Sequence, residues 1–268
     1  TDDSTAIAKG YAEKYPHKVR YLEHEGHQNR GMSATRNLGI RNAKGEYIAL
    51  LDADDVWLPD KLEQQLATME SHPEAAVVFG PTQYWYSWTG QPEDISRDTI
   101  RELWLPPNRL FHPPHLLPLL LQKKVNTPAT CSVLMRRQLF ADIGGFEEGF
   151  RGMYEDQAFF AKVYLKAPVF VESKYWDRYR QHSDATCAVA EKTGQYRRFK
   201  TNPAHLTFLN WMAEYLNKEQ VKDAKVWQAL QKALWPYQHP WLYSLLYPLQ
   251  RSLQLIKYRW RRLQHSHG

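Results

Sequence analysis

Apolar positions repeat with two different periods along the chain, and the two periods alternate. Helical spacing, supported by capping and breaking residues, predicts helices at 4–14, 33–42, 59–71, 137–143 and 154–165. Short apolar runs bounded by turn residues predict strands at 19–22, 47–51, 75–79, 132–135 and 169–171. The run 47–51 is apolar throughout, which is typical of a strand buried on both faces of a parallel sheet. Strands that alternate with helices indicate a layered α/β domain.

Two segments depart from this alternation. Residues 81–125 are rich in tryptophan and proline, and we expect long loops and short helices there, over one face of the sheet. From Tyr196 onward the pattern predicts helices that are broken at prolines, namely Pro203, Pro236, Pro240 and Pro248. We therefore expect an α/β domain at 1–190 and a helical C-terminal region at 191–268.

The composition excludes several classes of protein. Hydrophobic residues make up 43% and aromatic residues 13% of the 268 positions, which is too much for a disordered chain. No apolar run approaches the roughly 20 residues that span a bilayer. The two cysteines, Cys131 and Cys187, can form neither a disulfide framework nor a CxxC metal site.

The charge is unevenly distributed. Residues 1–195 carry 23 basic and 26 acidic side chains, whereas residues 196–268 carry 12 and 3. A mildly acidic body beside a strongly basic tail is typical of a chain whose appendage binds a membrane or a nucleic acid.

Three carboxylates, on Asp52, Asp54 and Asp55, follow the predicted strand 47–51 directly. Ligands of α/β proteins bind at the carboxyl ends of strands, and an Asp-x-Asp spacing suits a hard divalent cation that also binds phosphate. Taken alone, the pattern fits a solvated turn that precedes the helix at Pro59 slightly better. The buried strand in front of it favours a ligand site.

Three further groups of polar residues are weaker signals individually. Glu155 and Asp156 open a predicted helix after Gly144-Gly145-Phe146, as capping acids also do. The segment Asn29-Arg30-Gly31-Met32-Ser33-Ala34-Thr35-Arg36-Asn37 could bind an anion at a helix start or could be a solvated basic turn. Arg180-Gln181-His182 contains a lone histidine, which is usually structural or exposed.

Together, in this order and spacing, these motifs resemble the inverting family 2 glycosyltransferases of the GT-A fold. The resemblance covers about residues 1–188 and is closest at Gly45-Glu46-Tyr47-Ile48-Ala49-Leu50-Leu51-Asp52-Ala53-Asp54-Asp55. It implies a nucleotide-diphospho-sugar transferase fold, with a mixed, Rossmann-like sheet flanked by helices and followed by the helical appendage. It also implies a nucleotide-sugar donor, a glycan or lipid-linked acceptor, and Mg²⁺ or Mn²⁺ as cofactor.

The resemblance assigns roles to single residues. Asp54 would be the direct metal ligand, Asp52 would face the ribose or the water shell of the metal, and Asp55 would cap the next helix. Asp156 would be the general base, with Glu155 beside it on the acceptor side. Arg36, Arg180 and His182 would help to hold the donor diphosphate.

The chain also departs from the family pattern. By comparison with a βαβ unit and its flanks, we expect that about 40 residues of the nucleotide-binding half of the family lie outside this sequence. Only Thr1-Asp2 matches the Asp-Asp-Gly-Ser-Thr-Asp turn of the family, so Asp2 is the one donor-binding candidate there. We therefore expect a fragment that lacks the first strand and helix. The Gln-x-x-Arg-Trp motif of processive synthases is absent, which favours transfer of single sugars. We expect a role in cell-surface polysaccharide or glycolipid synthesis.

The tail leaves two interpretations open. Residues 235–262 interleave aromatic, leucine and basic residues, which suits an amphipathic helix at the cytoplasmic face of the plasma membrane. A helical subdomain packed on the body explains the pattern equally well. No nucleic-acid-binding motif is present, so we expect no nucleic-acid partner.

Alternatives to a glycosyltransferase remain at this stage. A carbohydrate-binding or scaffolding relative could keep the fold without catalysis, although both acid sets are intact. A metal-dependent nucleotidyltransferase would also bring acids to nucleotide phosphates. For the tryptophans of 81–125, stacking on acceptor sugars and filling the core are equally good explanations.

Overall fold

The computed structural model describes residues 2–194 and 201–246. Ten α-helices begin and end in this part of the chain, and residues 240–246 are helical as well: α1 (Ser4–Lys14), α2 (Met32–Asn42), α3 (Lys61–Ser71), α4 (Pro92–Ile95), α5 (Leu116–Leu121), α6 (Leu139–Ile143), α7 (Glu155–Lys166), α8 (Thr186–Lys192), α9 (Pro203–Lys218) and α10 (Ala224–Gln238). No described helix is long and apolar enough to cross a membrane.

Nine strands form two mixed sheets. They are β1 (Tyr47–Ala49), β2 (Val56–Trp57), β3 (Val77–Phe79), β4 (Thr82–Trp85), β5 (Thr99–Arg101), β6 (Arg109–Phe111), β7 (Leu134–Arg136), β8 (Val169–Val171) and β9 (Asp177–Arg180). The first sheet has the order β1-β7-β3-β8-β6, and the second has the order β2-β9-β4-β5. Only the β3–β8 and β4–β9 pairs are parallel.

Three strands of the first sheet continue into the second. The chain passes from β1 to β2, from β3 to β4 and from β8 to β9, each time through a short connection. Two of these connections touch at Gly80, where an added Cβ would overlap the backbone oxygen of Lys174. A side chain is therefore excluded at Gly80, because the crossings from β3 to β4 and from β8 to β9 touch there.

The main hydrophobic core joins the first sheet to the helices behind it. Val77, Phe79 and Val171 pack against Phe159 and Phe160 of α7, all fully or nearly fully buried. Helices α9 and α10 contribute to the same cluster through buried residues, namely Phe208, Leu209, Met212, Val226, Ala229 and Leu230. The described helices of the C-terminal region thus pack on the α/β body.

The structure confirms most of the predicted elements and corrects four. No strand forms at 19–22, because this stretch pairs with no other strand and its Leu22 side chain is 40% exposed. The strand predicted at 47–51 is limited to β1, which lies at a sheet edge and pairs antiparallel with β7. It is therefore neither parallel nor buried on both faces.

The other two corrections concern proline-rich and aromatic segments. Residues 81–125 contain three strands, β4, β5 and β6, besides loops and short helices. Pro236 does not break α10, since it lies inside that helix near its C-terminal end. Pro248 lies outside the described residues, as does most of the 235–262 segment.

Candidate active site

The first acid group lies on the crossing from β1 to β2. Asp52 is half-buried and accepts two hydrogen bonds of 2.9 Å from one guanidinium nitrogen of Arg36, which is on α2. The Arg36 guanidinium also lies 5.4 Å from the ring centroid of Phe146. These two contacts fix Arg36 between the acids and the loop that precedes α7.

That loop is attached to α2 by a buried asparagine. Asn37 Nδ2 donates to the backbone oxygen of Phe146 at 2.9 Å, and Phe146 N donates to Asn37 Oδ1 at 2.7 Å. An added Cβ at Gly145 would overlap the Asn37 amide, so only glycine fits there. The close approach explains the second glycine of Gly144-Gly145-Phe146 and places α2 beside the start of α7.

The second acid group occupies the first turn of α7. Glu155 is 7% exposed, and its Oε2 has no hydrogen-bond partner. Asp156 Oδ1 accepts from the backbone N–H of Gln157 at 2.7 Å, and its Oδ2 faces the Thr127 hydroxyl at 3.4 Å. Thr127 was not singled out from the sequence, where nothing distinguishes it from other loop threonines.

Both acids of α7 are harder to ionise than free carboxylates. Burial raises the pKa of Glu155, and the neighbouring Asp156 adds to the shift. Burial also raises the pKa of Asp156, although the Gln157 N–H and the positive charge of Arg36 oppose the rise. A carboxylate with a raised pKa is a stronger proton acceptor, which suits a general base. Arg36 therefore acts electrostatically on both acid groups of the site.

The end of β9 meets the remaining acids of the crossing. His182 Nε2 lies 3.1 Å from Asp54 Oδ2, and Arg180 Nε donates to the backbone oxygen of Asp54 at 2.7 Å. The Arg180 guanidinium itself lies against two indoles, with its central carbon 4.9 Å from the Trp85 ring and 4.8 Å from the Trp88 ring. Two of the tryptophans of the 81–125 segment thus hold a polar side chain of the site.

Asp55 does not cap the following helix. It is 7% exposed, and its Oδ1 accepts from the backbone N–H of Arg180 at 3.0 Å, whereas α3 begins after Asp60. Burial raises the pKa of Asp55 to about 6. Its role in the structure is to join the β1–β2 crossing to β9.

Seven of the eight predicted site residues therefore lie in one connected region. They form the pairs Arg36–Asp52 and His182–Asp54, the Arg180 contact to Asp54, and the acids Glu155 and Asp156 near Arg36. Asp2 lies apart: its Oδ1 accepts from Ser4 N at 3.1 Å at the start of α1. No hydrogen bond or ion pair among the described residues joins Asp2 to the site.

The described residues of the site offer few protein ligands to a metal ion. Within residues 2–194 and 201–246, no group of three or more histidine, cysteine, aspartate or glutamate side chains could hold a metal ion by itself. Asp52 is already paired with Arg36, whereas Asp54 is 44% exposed beside His182. One or two protein ligands fit an ion such as Mg²⁺ that takes its other ligands from phosphate oxygens and water.

Comparison with known proteins identifies the family of this region. The family model described as Glycosyl transferase family 2 matches residues 1–144, which is more than half of the chain. The uncharacterized glycosyltransferase YibD of Escherichia coli K12 is 42% identical over 103 residues, covering 38% of this chain and 28% of YibD. An uncharacterized glycosyltransferase of Haemophilus influenzae is 26% identical over 181 residues, or 65% of this chain and 53% of that protein.

A solved structure has the same fold. The crystal structure of S. aureus TarS 1-349 in complex with UDP-GlcNAc matches 91% of this chain and 64% of that chain, with a TM-score of 0.60 and 19% identity. The chain thus spans between about a quarter and two thirds of the lengths of these relatives. The mixed sheets and flanking helices form a GT-A fold, and the chain belongs to glycosyl transferase family 2.

Proposed function

We propose that this region transfers a glycosyl group from a nucleotide-sugar donor to an acceptor hydroxyl with inversion of configuration. The observation that carries the proposal is the position of Arg36. Arg36 pairs with Asp52 in the Asp-x-Asp motif. Its charge also acts on Glu155 and Asp156, where it opposes the rise in pKa that burial causes. The donor diphosphate would therefore lie on one side of the Arg36 guanidinium, and the general base on the other.

The donor would bind at the crossing from β1 to β2. Asp54 and His182 would hold a divalent cation, Mg²⁺ or Mn²⁺, and Asp52 would face the ribose or the water shell of the cation. Arg36 and Arg180 add two guanidinium groups, which bind phosphate oxygens well. When bound, the cation would stabilise the negative charge that develops on the leaving diphosphate.

The acceptor hydroxyl would be activated by Asp156. This carboxylate would take the hydroxyl proton while the acceptor oxygen forms a bond to the anomeric carbon of the donor. The bond from that carbon to the diphosphate oxygen breaks on the opposite face, which inverts the configuration. Glu155 lies beside the base, and burial of Asp156 keeps its pKa raised.

The test of donor binding is a screen of nucleotide sugars against the complete protein, with and without Mg²⁺. The Asp54→Ala variant should lose at least about tenfold in metal-dependent donor affinity, because the cation loses a charged ligand. Asp60→Ala removes an exposed acid six residues away and should bind the donor as the wild type does. Equal metal-dependent affinity of Asp54→Ala and the wild type would contradict the proposal.

We further propose that the acceptor is a glycan or a lipid-linked sugar in surface-polysaccharide or glycolipid synthesis, and that one sugar is added at a time. Peripheral contact with the cytoplasmic face of the plasma membrane through residues 235–262 would bring the site near such an acceptor. In the described part of this segment, Trp241 and Leu245 are 66% and 68% exposed. Exposed apolar side chains next to a basic stretch are what an interfacial helix requires.

A further inference from the structure

A fully buried lysine lies at the start of α3. Lys61 is 0% exposed, and its Nζ donates to Gln65 Oε1 at 2.6 Å and to the backbone oxygen of Ser132 at 2.9 Å. Two leucines of the same helix, Leu62 and Leu66, are 47% and 36% exposed. A buried ammonium is costly unless nearby groups compensate its charge, so its surroundings are informative.

Two acids lie near Lys61, and one of them, Glu172, accepts hydrogen bonds from three neutral side chains. Glu172 accepts from Thr68 Oγ1 at 2.8 Å, from Trp176 Nε1 at 3.1 Å and from Gln65 Nε2 at 3.3 Å. These three donors lie on α3 and just after β8. Glu172 therefore depends on several neutral groups and only partly on the lysine.

The other acid, Asp177, lies with Lys61 in the buried region around Trp57, which pairs with Asp177 and contacts the lysine. Asp177 is 1% exposed, its Oδ1 faces the Cys131 thiol at 3.4 Å, and the buried Thr82 hydroxyl also acts to lower its pKa. Burial raises the pKa of Asp177, and the charge of Lys61 is the main influence against that rise. Burial lowers the pKa of Lys61 to about 8, and Asp177 is the main influence against that fall. Each of the two is the principal electrostatic partner of the other.

Asp177 is also the first residue of β9, the strand that leads into the site. It pairs with Trp57 of β2, whose indole N–H donates to the backbone oxygen of Cys131 at 2.9 Å. The Lys61 ammonium lies 5.6 Å from the centroid of the Trp57 ring. Three residues further along β9, Arg180 N donates to Asp55, and His182 then faces Asp54. One end of the β2–β9 pair thus lies beside Lys61, and the other end contacts Asp54 and Asp55.

We propose that Lys61 is a positioning residue for the donor side of the site. Its buried charge compensates Asp177 and thereby keeps β9 in the register that presents Arg180 and His182 to the β1–β2 crossing. The catalytic meaning of this inference rests on the proposed function, whereas the strand geometry that it describes does not. It predicts that loss of the lysine charge loosens β9 locally and weakens donor binding.

Hydrogen exchange of the complete chain tests the local effect without any donor. In Lys61→Met, the amides of residues 178–181 should exchange at least about tenfold faster than in the wild type. The amides of residues 77–79 in β3 should change less than about twofold, since they lie in the first sheet. Equal acceleration in both regions, or none at 178–181, would overturn the inference.

Charge compensation is tested by a second substitution. Lys61→Met with Asp177→Asn removes both charges and keeps the shape of the carboxyl group, so exchange at 178–181 should return to within about threefold of the wild type. If the double variant exchanges as fast as Lys61→Met, the lysine does not act through Asp177. The matched control is Lys162→Met, which removes another buried lysine, paired with Glu147 at 2.6 Å, and should leave 178–181 protected.

Should Lys61→Met fail to fold, a change at Gln65 tests the position of the lysine while its charge is kept. Gln65→Met removes a 2.6 Å acceptor from Lys61, and Gln64→Met alters the exposed neighbouring position. Faster exchange at 178–181 in the first variant alone supports the inference, and equal exchange in the two overturns it.

Kinetics separate positioning from a general loss of structure. With a donor that supports turnover, Lys61→Met should raise the donor KM at least about tenfold and change kcat less than about threefold. The double variant should recover the KM. A fall in kcat at unchanged KM would overturn the inference. If no donor supports turnover, the proposed function fails, and the exchange measurement still decides the role of Lys61.

Discussion

At the scale of single residues, three acids of the site are wholly or partly buried, and nearby donors and positive charges only partly offset the resulting rise in their pKa. Glu155, Asp156 and Asp55 all have raised pKa values, and in each case burial is the main cause. Asp52 has a charge partner, Arg36, at 2.9 Å. Perturbed carboxyl groups that cluster near a fixed cation are typical of catalytic sites.

Asp55 gives a prediction for the pH dependence of stability. Its pKa is about 6 in the folded state, above about 3.9 in the unfolded chain. The folded state therefore binds this proton more tightly, so the stability from Asp55 is fully present below the unfolded pKa. That stability is lost as the pH rises through about 6.

The variant Asp55→Asn carries no charge at any pH and keeps an oxygen that can accept from Arg180 N. Relative to the wild type, its free energy of unfolding should rise by up to about 3 kcal/mol between pH 4 and pH 8. Urea unfolding of both proteins at pH 4, 6 and 8 measures this difference. A difference that is the same at all three values would show that Asp55 does not titrate as described.

At the scale of elements, the packing of α9 and α10 is the main addition to the sequence-based account. Their buried residues belong to the core of the α/β body, as Met212, Leu209 and Leu230 illustrate, each 0% exposed. Elements that share a core with a domain normally unfold with it. The described helices after residue 201 should therefore stabilise the catalytic fold.

Substitution of Met212 tests this dependence. Met212→Ala should lower the free energy of unfolding of the whole chain by about 2–5 kcal/mol, because it removes a fully buried side chain. Asn210→Ala, on the exposed side of the same helix, should change it by less than about 0.5 kcal/mol. Urea unfolding followed by tryptophan fluorescence and by circular dichroism measures both. Separate transitions for the two signals would indicate that α9 unfolds independently.

The hydrophobic pattern predicted those elements whose stability comes from apolar burial. It located β3, β8 and α7, whose side chains are almost entirely buried. In α3 it located the helix, but Lys61 and Gln65 are buried through hydrogen bonds to Ser132 that no local pattern reveals. The strands β4 and β5 escaped prediction because their pairing is decided by distant residues.

The acids of the candidate site could be located from the sequence because they lie in short local motifs. Asp52, Asp54, Glu155 and Asp156 follow short motifs, so their positions could be found from local sequence. The contacts that connect them cannot be found in this way: Arg36 and Asp52 are 16 residues apart, and His182 and Asp54 are 128 apart. Thr127 and the Trp85–Arg180–Trp88 contact depend in the same way on tertiary structure.

At the scale of the whole molecule, the site occupies the junction of the two sheets. The Asp52–Asp55 segment crosses from the first sheet to the second, and β9 reaches the same place after its own crossing from β8. Arg36 and the first turn of α7 approach from the first sheet. Relative displacement of the two sheets would therefore separate Arg180 and His182 from Asp156.

The basic tail gives a prediction for the complete chain. We expect binding to vesicles that contain anionic lipid, with an affinity that falls as salt is raised, because each basic residue near the surface contributes about 1 kcal/mol. Neutralising five basic residues with glutamine should abolish this binding: Arg251, Lys257, Arg259, Arg261 and Arg262. Vesicle flotation measures it, with neutral vesicles as the control. Equal flotation of the wild type and this variant would argue against a membrane role.

The central claim is that Asp156 is the base of a glycosyl transfer, and the most direct test is the turnover of Asp156→Asn in the complete protein. The account predicts that kcat falls by about 10²–10⁴-fold while donor affinity stays within about threefold, because the amide cannot accept the proton but leaves the donor site unchanged. Asp142→Asn, an exposed acid on α6, is the matched control. Turnover of Asp156→Asn close to that of the wild type would contradict the account.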